Sequence, residues 1–130
     1  MGLTERRMMQ ELKDATLPAR EKEIEEICGQ AIPYDVDWSS MADDSEALRF
    51  VDNVSCHRLN MALRVICSDQ IGREAVVQSL KKIRLVNVKD AAAMAILFEA
   101  DTLEMRCAYA LGAQGMHSDG AIRQTLERGL

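Results

Sequence analysis

Apolar residues recur along this chain at helical spacing, interrupted by short stretches of period two, and the changes of period mark the expected elements. Thr4 to Ala15 places Met8, Leu12 and Ala15 on one helical face. A second helix is expected from Pro18, whose fixed φ and missing N–H suit a first turn. Ile24, Ile27, Cys28 and Ala31 give it an apolar stripe, and Gly29 a stop signal. The pair predicts a helical hairpin over residues 1–31, with Glu21, Glu23, Glu25 and Glu26 largely on its wet side.

From Ile32 to Trp38 the period becomes two. Ile32, Tyr34, Val36 and Trp38 point one way, and Asp35 and Asp37 the other. Pro33 and the two carboxylates predict an edge strand, because proline cannot donate to a ladder and charge discourages further pairing. Asp43, with Glu46 behind it, reads as the N-cap of a long helical stretch reaching Cys67, either continuous or broken near Asn53.

Taken as continuous, at about 100° per residue, that stretch has a narrow polar stripe. Arg49, Asp52, Asn53, Cys56, Asn60, Arg64 and Cys67 form it, between apolar flanks that include Phe50, Val54, Leu59 and Ile66. So much apolar circumference predicts a central helix. Ser68 or Asp69 caps the next helix, with Ile71, Ala75, Val76 and Leu80 inward.

Ile83 to Val88 then reads as a strand, and Met94 to Glu99 with Leu103 to Ala110 as a hairpin around Ala100, Asp101 and Thr102. After a Gly112–Gly115 loop, Ser118 or Asp119 starts a last helix with Ile122 and Leu126 inward. The order αα-β-αα-βββ-α predicts an α+β fold, with a small, mainly antiparallel sheet packed on the long central helix. With no linker-like segment, a single domain over 1–130 is expected, a helical hairpin (1–31) joined to an α+β core (32–130).

Composition narrows the function classes. At 48% hydrophobic and 28% charged residues the chain is an ordinary globular one. A net charge of −5 argues against nucleic acid, which requires a basic footprint. The basic run Lys81, Lys82, Ile83, Arg84 lacks the aromatic neighbours that would stack bases and reads as a solvated helix end. The longest apolar stretch, Ala91 to Phe98, falls short of the roughly 20 residues a membrane span needs. No apolar region follows Arg6 and Arg7 to make a signal peptide, so a cytoplasmic location is expected. Cys28, Cys56, Cys67 and Cys107, widely spaced, read as reduced, mostly buried thiols.

Charge is uneven. Residues 1–52 carry 13 acidic and 6 basic side chains, a net of −7, whereas the remainder is net +2. Phosphate-loop, dinucleotide, zincin and nucleophile-elbow motifs are all missing, which lowers the expectation of an enzyme and gives no reason to expect a cofactor. The densest acidic cluster is Asp35, Asp37, Asp43 and Asp44, a candidate surface for a basic partner; as ligands for a hard divalent ion they would make a metal-dependent hydrolase, a third and thinner reading.

Cys56 and His57 are adjacent, and neighbours on a helix do not face each other. Cys56 and Cys67 share a face but lie roughly 16 Å apart along it, so any shared thiol site needs Cys28 or Cys107 to arrive from another element. Arg58 points into the apolar half of a continuous helix, so it must be paired, snorkel, or mark a break. His117 sits in a glycine-bearing loop, and the eight methionines read as core filling.

Two function classes follow. The first is a protein-interaction module using the acidic residues Asp35, Asp37, Asp43 and Asp44 against a basic protein or a second copy of itself, with no nucleic-acid or membrane partner. The alternative is a protein or enzyme that binds a small anionic ligand, with His57, Arg58 and Tyr109 converging in a pocket between sheet and central helix.

Overall fold

The computed structural model describes residues 2–130. Its order is α1 (Leu3–Glu11), α2 (Leu17–Cys28), β1 (Tyr34–Val36), α3 (Ser45–Phe50), α4 (His57–Ile66), α5 (Gln70–Ser79), β2 (Lys82–Asn87), β3 (Ala95–Glu99), β4 (Thr102–Cys107) and α6 (Asp119–Gly129). The fold is mixed α/β, with one four-stranded sheet in the order β1-β2-β4-β3.

The sheet is mixed rather than mainly antiparallel. β1 pairs with β2 and β2 with β4 in parallel, and only β3 and β4 pair antiparallel. Connection length explains this. β1 reaches β2 through the helices α3, α4 and α5, a crossover long enough to return the chain in the same direction. β3 turns tightly into β4 at Ala100, which sits at φ 56°, and β4 inserts between β3 and β2. β1 occupies an edge, as Pro33 and its carboxylates predict, but spans only Tyr34–Val36; Trp38 opens a 3₁₀ turn instead.

One face of the sheet is core. Tyr34, Val36, Ile83, Leu85, Leu103 and Met105 are buried in a single cluster with Ile24, Leu48, Leu59, Leu63, Ile122 and Leu126 of the helices. The other face is polar. Register places Asp35, Arg84, Glu104 and Leu97 in one row across it, and Arg84 reaches Asp35 at 3.0 Å, Asp37 at 3.6 Å and Glu104 at 3.6 Å.

The N-terminal segment is not a hairpin. α1 and α2 run on as one helix through a π-helical segment, Leu12–Thr16, and its flanking residues Glu11 and Leu17 keep right-handed helical dihedrals. Pro18 fits because it lies in the first turn after that segment, where no α-type N–H bond is owed. α3 and α4 are likewise joined without a break by a π segment, Val51–Cys56.

Each π turn holds one residue more than an α turn and so re-phases the helix by about 100°. Met9 before the first segment and Leu12 at its start thereby share a buried side with Leu17, Ile24 and Cys28 after it. Ala47, Leu48 and Val51 are aligned in the same way with Leu59, Leu63 and Ile66.

Two other boundaries shift. Asp44, not Asp43, caps α3, its carboxylate accepting from Ala47 N–H at 3.0 Å. β4 ends at Cys107, and Tyr109–Gly115 forms 3₁₀ turns kinked at Gly112 (φ 66°, ψ −139°), a conformation open to glycine. Asp69 and Ser118 cap α5 and α6, accepting from Gly72 and Ala121 N–H.

Candidate functional site

The four aspartates do not form one open acidic surface. Asp35 and Asp37 are engaged by Arg84. Asp44, with a side chain 17% exposed, holds Lys89 Nζ at 2.8 Å as well as capping α3. Burial works against its charge, but the Lys89 bond and the backbone N–H groups outweigh that and hold its pKa below the usual carboxylate value. Asp43 is exposed one residue ahead of the cap. Part of the charge asymmetry along the chain is therefore met inside the molecule. Arg84, Lys89 and Arg64 of the second half meet Asp35, Asp37, Asp44 and Glu23 of the first. Among the described residues, no group of three or more His, Cys, Asp or Glu side chains could hold a metal ion.

His57, Arg58 and Tyr109 are placed apart. His57 is exposed at the start of α4. Arg58 donates from Nη1 to the carbonyl of His117 at 3.1 Å, so it is paired and only partly buried. His117 is fixed in turn, with Nε2 2.9 Å from the carbonyl oxygen of Ala95. Tyr109 has no exposed surface, and its hydroxyl bonds Ser55 Oγ at 2.9 Å. A ligand could not reach it without opening the core. Burial raises the pKa of Cys107 to about 11 and pushes that of Cys56 up as well, so neither is a ready nucleophile at neutral pH.

What the polar stripe does supply is a half-buried chain of hydrogen bonds between α2, α4 and β1. Asn60, 1% exposed, donates from Nδ2 to Glu23 Oε1 at 2.6 Å and to the Arg20 carbonyl at 3.2 Å. It accepts from the Tyr34 hydroxyl at 2.7 Å. Arg20 grips Asp52 with Nε at 2.6 Å and Nη2 at 3.3 Å, and reaches Glu23 at 3.1 Å. That fork, against the π segment, raises the Arg20 pKa.

Glu23 is held below its ordinary pKa of 4.5, first by the Asn60 bond, against some desolvation, and then by Arg20 and Arg64. A depressed folded-state pKa adds stability that is fully present above the unfolded value and is lost as pH falls through the folded one. Glu23→Gln is therefore expected to flatten the acid limb of a thermal-stability profile below about pH 4.5. An acid limb unchanged between wild type and variant would show that Glu23 does not titrate this way.

Two of the surface grooves have an apolar floor with charged side chains at the rim. One, of about 440 Å³, runs between α1 and α3 over Met8, Leu12 and Leu48. Its charges balance, with Arg7 and Arg49 against Glu11 and Asp52, and Asp52 is already held by Arg20. The other, of about 330 Å³, lies where the end of α4, the start of α5 and the end of α6 meet. Val65, Ile71, Ala75 and Leu130 line it, and its charged lining side chains are Asp69 and Glu127, both acidic. Ile71 is 82% exposed and Val65 49%, and Met61, one turn back on α4, is 42% exposed.

No family model matches the chain, and no curated protein or solved structure does so either. No helix is long and apolar enough to cross a membrane among the residues described. The class defined by fold and surface is thus a mixed α/β protein with an exposed apolar groove of acidic rim.

Proposed function

We propose that this protein is a small cytoplasmic protein-interaction module that binds a basic partner protein, with the contact made at the groove between α4, α5 and α6. The carrying observation is the exposed apolar run Met61, Val65 and Ile71 beside a groove whose charged lining is Asp69, which also caps α5, and Glu127, which Arg123 meets only at 3.9 Å. Contiguous exposed apolar side chains rimmed by polar ones mark contact surfaces. Carboxylates at the rim favour a partner bearing Lys or Arg and work against a second, equally acidic copy. Asp35, Asp37 and Asp44 support this contact only indirectly, since their charges are met by Arg84 and Lys89. The open patch lies elsewhere.

The test compares affinity capture by wild type and by an Ile71→Lys/Glu127→Lys variant, eluted with a salt gradient. Ile71 is exposed enough for the variant to keep its fold, which circular dichroism checks. One stoichiometric basic protein, released at moderate salt and depleted about tenfold on the variant, is the expected result; a tenfold loss corresponds to about 1.4 kcal/mol. The same proteins retained equally by both baits would remove this surface. Sedimentation equilibrium of wild type alone would reveal self-association, which would make a second copy the occupant.

A further inference from the structure

Cys28 ends α2 and Cys67 follows α4, and the fold brings their sulfurs to 2.8 Å although 39 positions separate them in the chain. Both are free thiols and almost wholly buried, at 2% and 4% exposure. The pair is not sealed, however. Cys28 lines a third groove, of about 330 Å³, with Gly29, Gln70, Arg73, Glu74 and Val77. From these observations we infer that Cys28 and Cys67 form a dithiol site that undergoes thiol–disulfide exchange with a small, carboxylate-bearing disulfide entering this groove. The reading is independent of the proposed partner contact.

Three features support it. The sulfurs come from two different helices at a separation where bond formation needs little backbone movement. The thiol of Cys28 can donate to the sulfur of Cys67, and this, with the charge of Arg73, favours ionisation of Cys67, whereas Cys28 is raised by the same bond and by burial. Cys67, in its thiolate form and in contact with the Cys28 thiol, is placed to take the Cys28 proton as Cys28, the sulfur on the groove, attacks. Arg73 also offers the groove a cation for a carboxylate, and the one acidic side chain of the lining, Glu74, is engaged by Gln70 Nε2 at 2.8 Å.

The exchange balances in two steps. As the Cys28 sulfur bonds to one sulfur of the small disulfide, the Cys28 proton passes to the Cys67 thiolate; the S–S bond breaks, and the released thiolate takes that proton, leaving Cys67 ionised again. Cys67 sulfur then attacks the Cys28 sulfur of the mixed disulfide, forming the Cys28–Cys67 bond and releasing the second thiol. Two protein thiols are oxidised and one small disulfide is reduced to two thiols. Cys56 and Cys107, each buried on its own, take no part.

The full-length protein is incubated in oxidised and reduced glutathione at several ratios, alkylated and mapped by peptide mass spectrometry. The expected result is a Cys28–Cys67 linked peptide with Cys56 and Cys107 alkylated, and a melting temperature about 10 °C higher in the oxidised form, from closure of a long loop. Cys67→Ser is expected to stop at a glutathione adduct on Cys28, and Cys28→Ser to give no internal link. Cys28 and Cys67 both remaining alkylatable in oxidised glutathione, or a disulfide mapped to another pair, would overturn the inference on wild type alone, whatever the variants' folding.

Discussion

Asn60→Leu is expected to lower the melting temperature by roughly 10–15 °C, the counterpart of about 3–4 kcal/mol in a domain of this size. Leucine keeps the branched heavy-atom shape of asparagine but is bulkier, so some crowding adds to the main effect, which comes from what is left behind. Tyr34, buried and bonded through its hydroxyl to Asn60, keeps only a 3.5 Å contact with the Cys56 carbonyl. Glu23 loses its shortest neutral donor while remaining half-buried, and the Arg20 carbonyl loses its side-chain partner. Groups already taken from water and then deprived of a partner cost more than their bonds contributed. Combining Asn60→Leu with Tyr34→Phe should therefore destabilise less than the sum of the single changes, because the orphaned hydroxyl is gone. A drop of less than about 3 °C for Asn60→Leu, or strict additivity in the cycle, would show that the network is not coupled as described.

Gly115→Ala is expected to destabilise by about 3 kcal/mol, for steric rather than electrostatic reasons. A Cβ at this position would overlap the Ala108 carbonyl oxygen and lie 2.7 Å from its carbon. The two backbones are this close because Ala108 N–H donates to the Gly115 carbonyl at 2.8 Å, closing the turns that hold Tyr109 in the core. Neither obstacle is a flexible side-chain end, so the loop itself must move, and the Tyr109–Ser55 bond moves with it. Gly120 is the comparison. It lies in α6, a Cβ there meets nothing nearer than 3.9 Å, and Gly120→Ala should be neutral or stabilising by up to about 1 kcal/mol. Equal melting temperatures for the two variants would sink the steric argument.

The two prominent misreadings of the fold have one physical source each. The strands Lys82–Asn87 and Thr102–Cys107 alternate apolar and polar residues, a pattern that usually belongs to antiparallel sheets with one face in water. Here parallel strands carry that alternation, because the polar row of Asp35, Arg84 and Glu104 satisfies the face that helices would otherwise cover. Local pattern reports burial, and strand direction depends on the connection.

The helical errors arise from assuming one period throughout. On a continuous α-helix Cys56, Asn60 and Cys67 fall in the same polar stripe as Arg49, Asn53 and Arg64, yet the first three are buried and the last three exposed. The π segment Val51–Cys56 puts Arg49, ahead of it, out of phase with Asn60 and Cys67 behind it, while Arg64 stays on the exposed edge of α4 and reaches Glu23. Arg58, out of place in the uniform helix, was the visible trace of this phase change, and its pairing with the His117 carbonyl shows how it is accommodated. Edge placement of β1, the hairpin, the capping residues Asp69 and Ser118, and much of the core were legible because each depends on neighbours in sequence. The Cys28–Cys67 contact and the Asn60 network were not, since they depend on how distant helices meet.

Viewed through the gene, each π segment behaves as a codon that the protein has come to require. Deleting one residue between Leu12 and Thr16 would leave a chain fully able to form an uninterrupted α-helix, with better local hydrogen bonding than before. Yet the deletion would swing Met9 and everything ahead of it about 100° around the axis, away from α3. A length change that a surface loop absorbs without notice would here undock a whole helix. The lengths of these two helices are consequently as constrained as the identities of the side chains they bury, and relatives of this chain should vary in length in the turns between elements before they vary here.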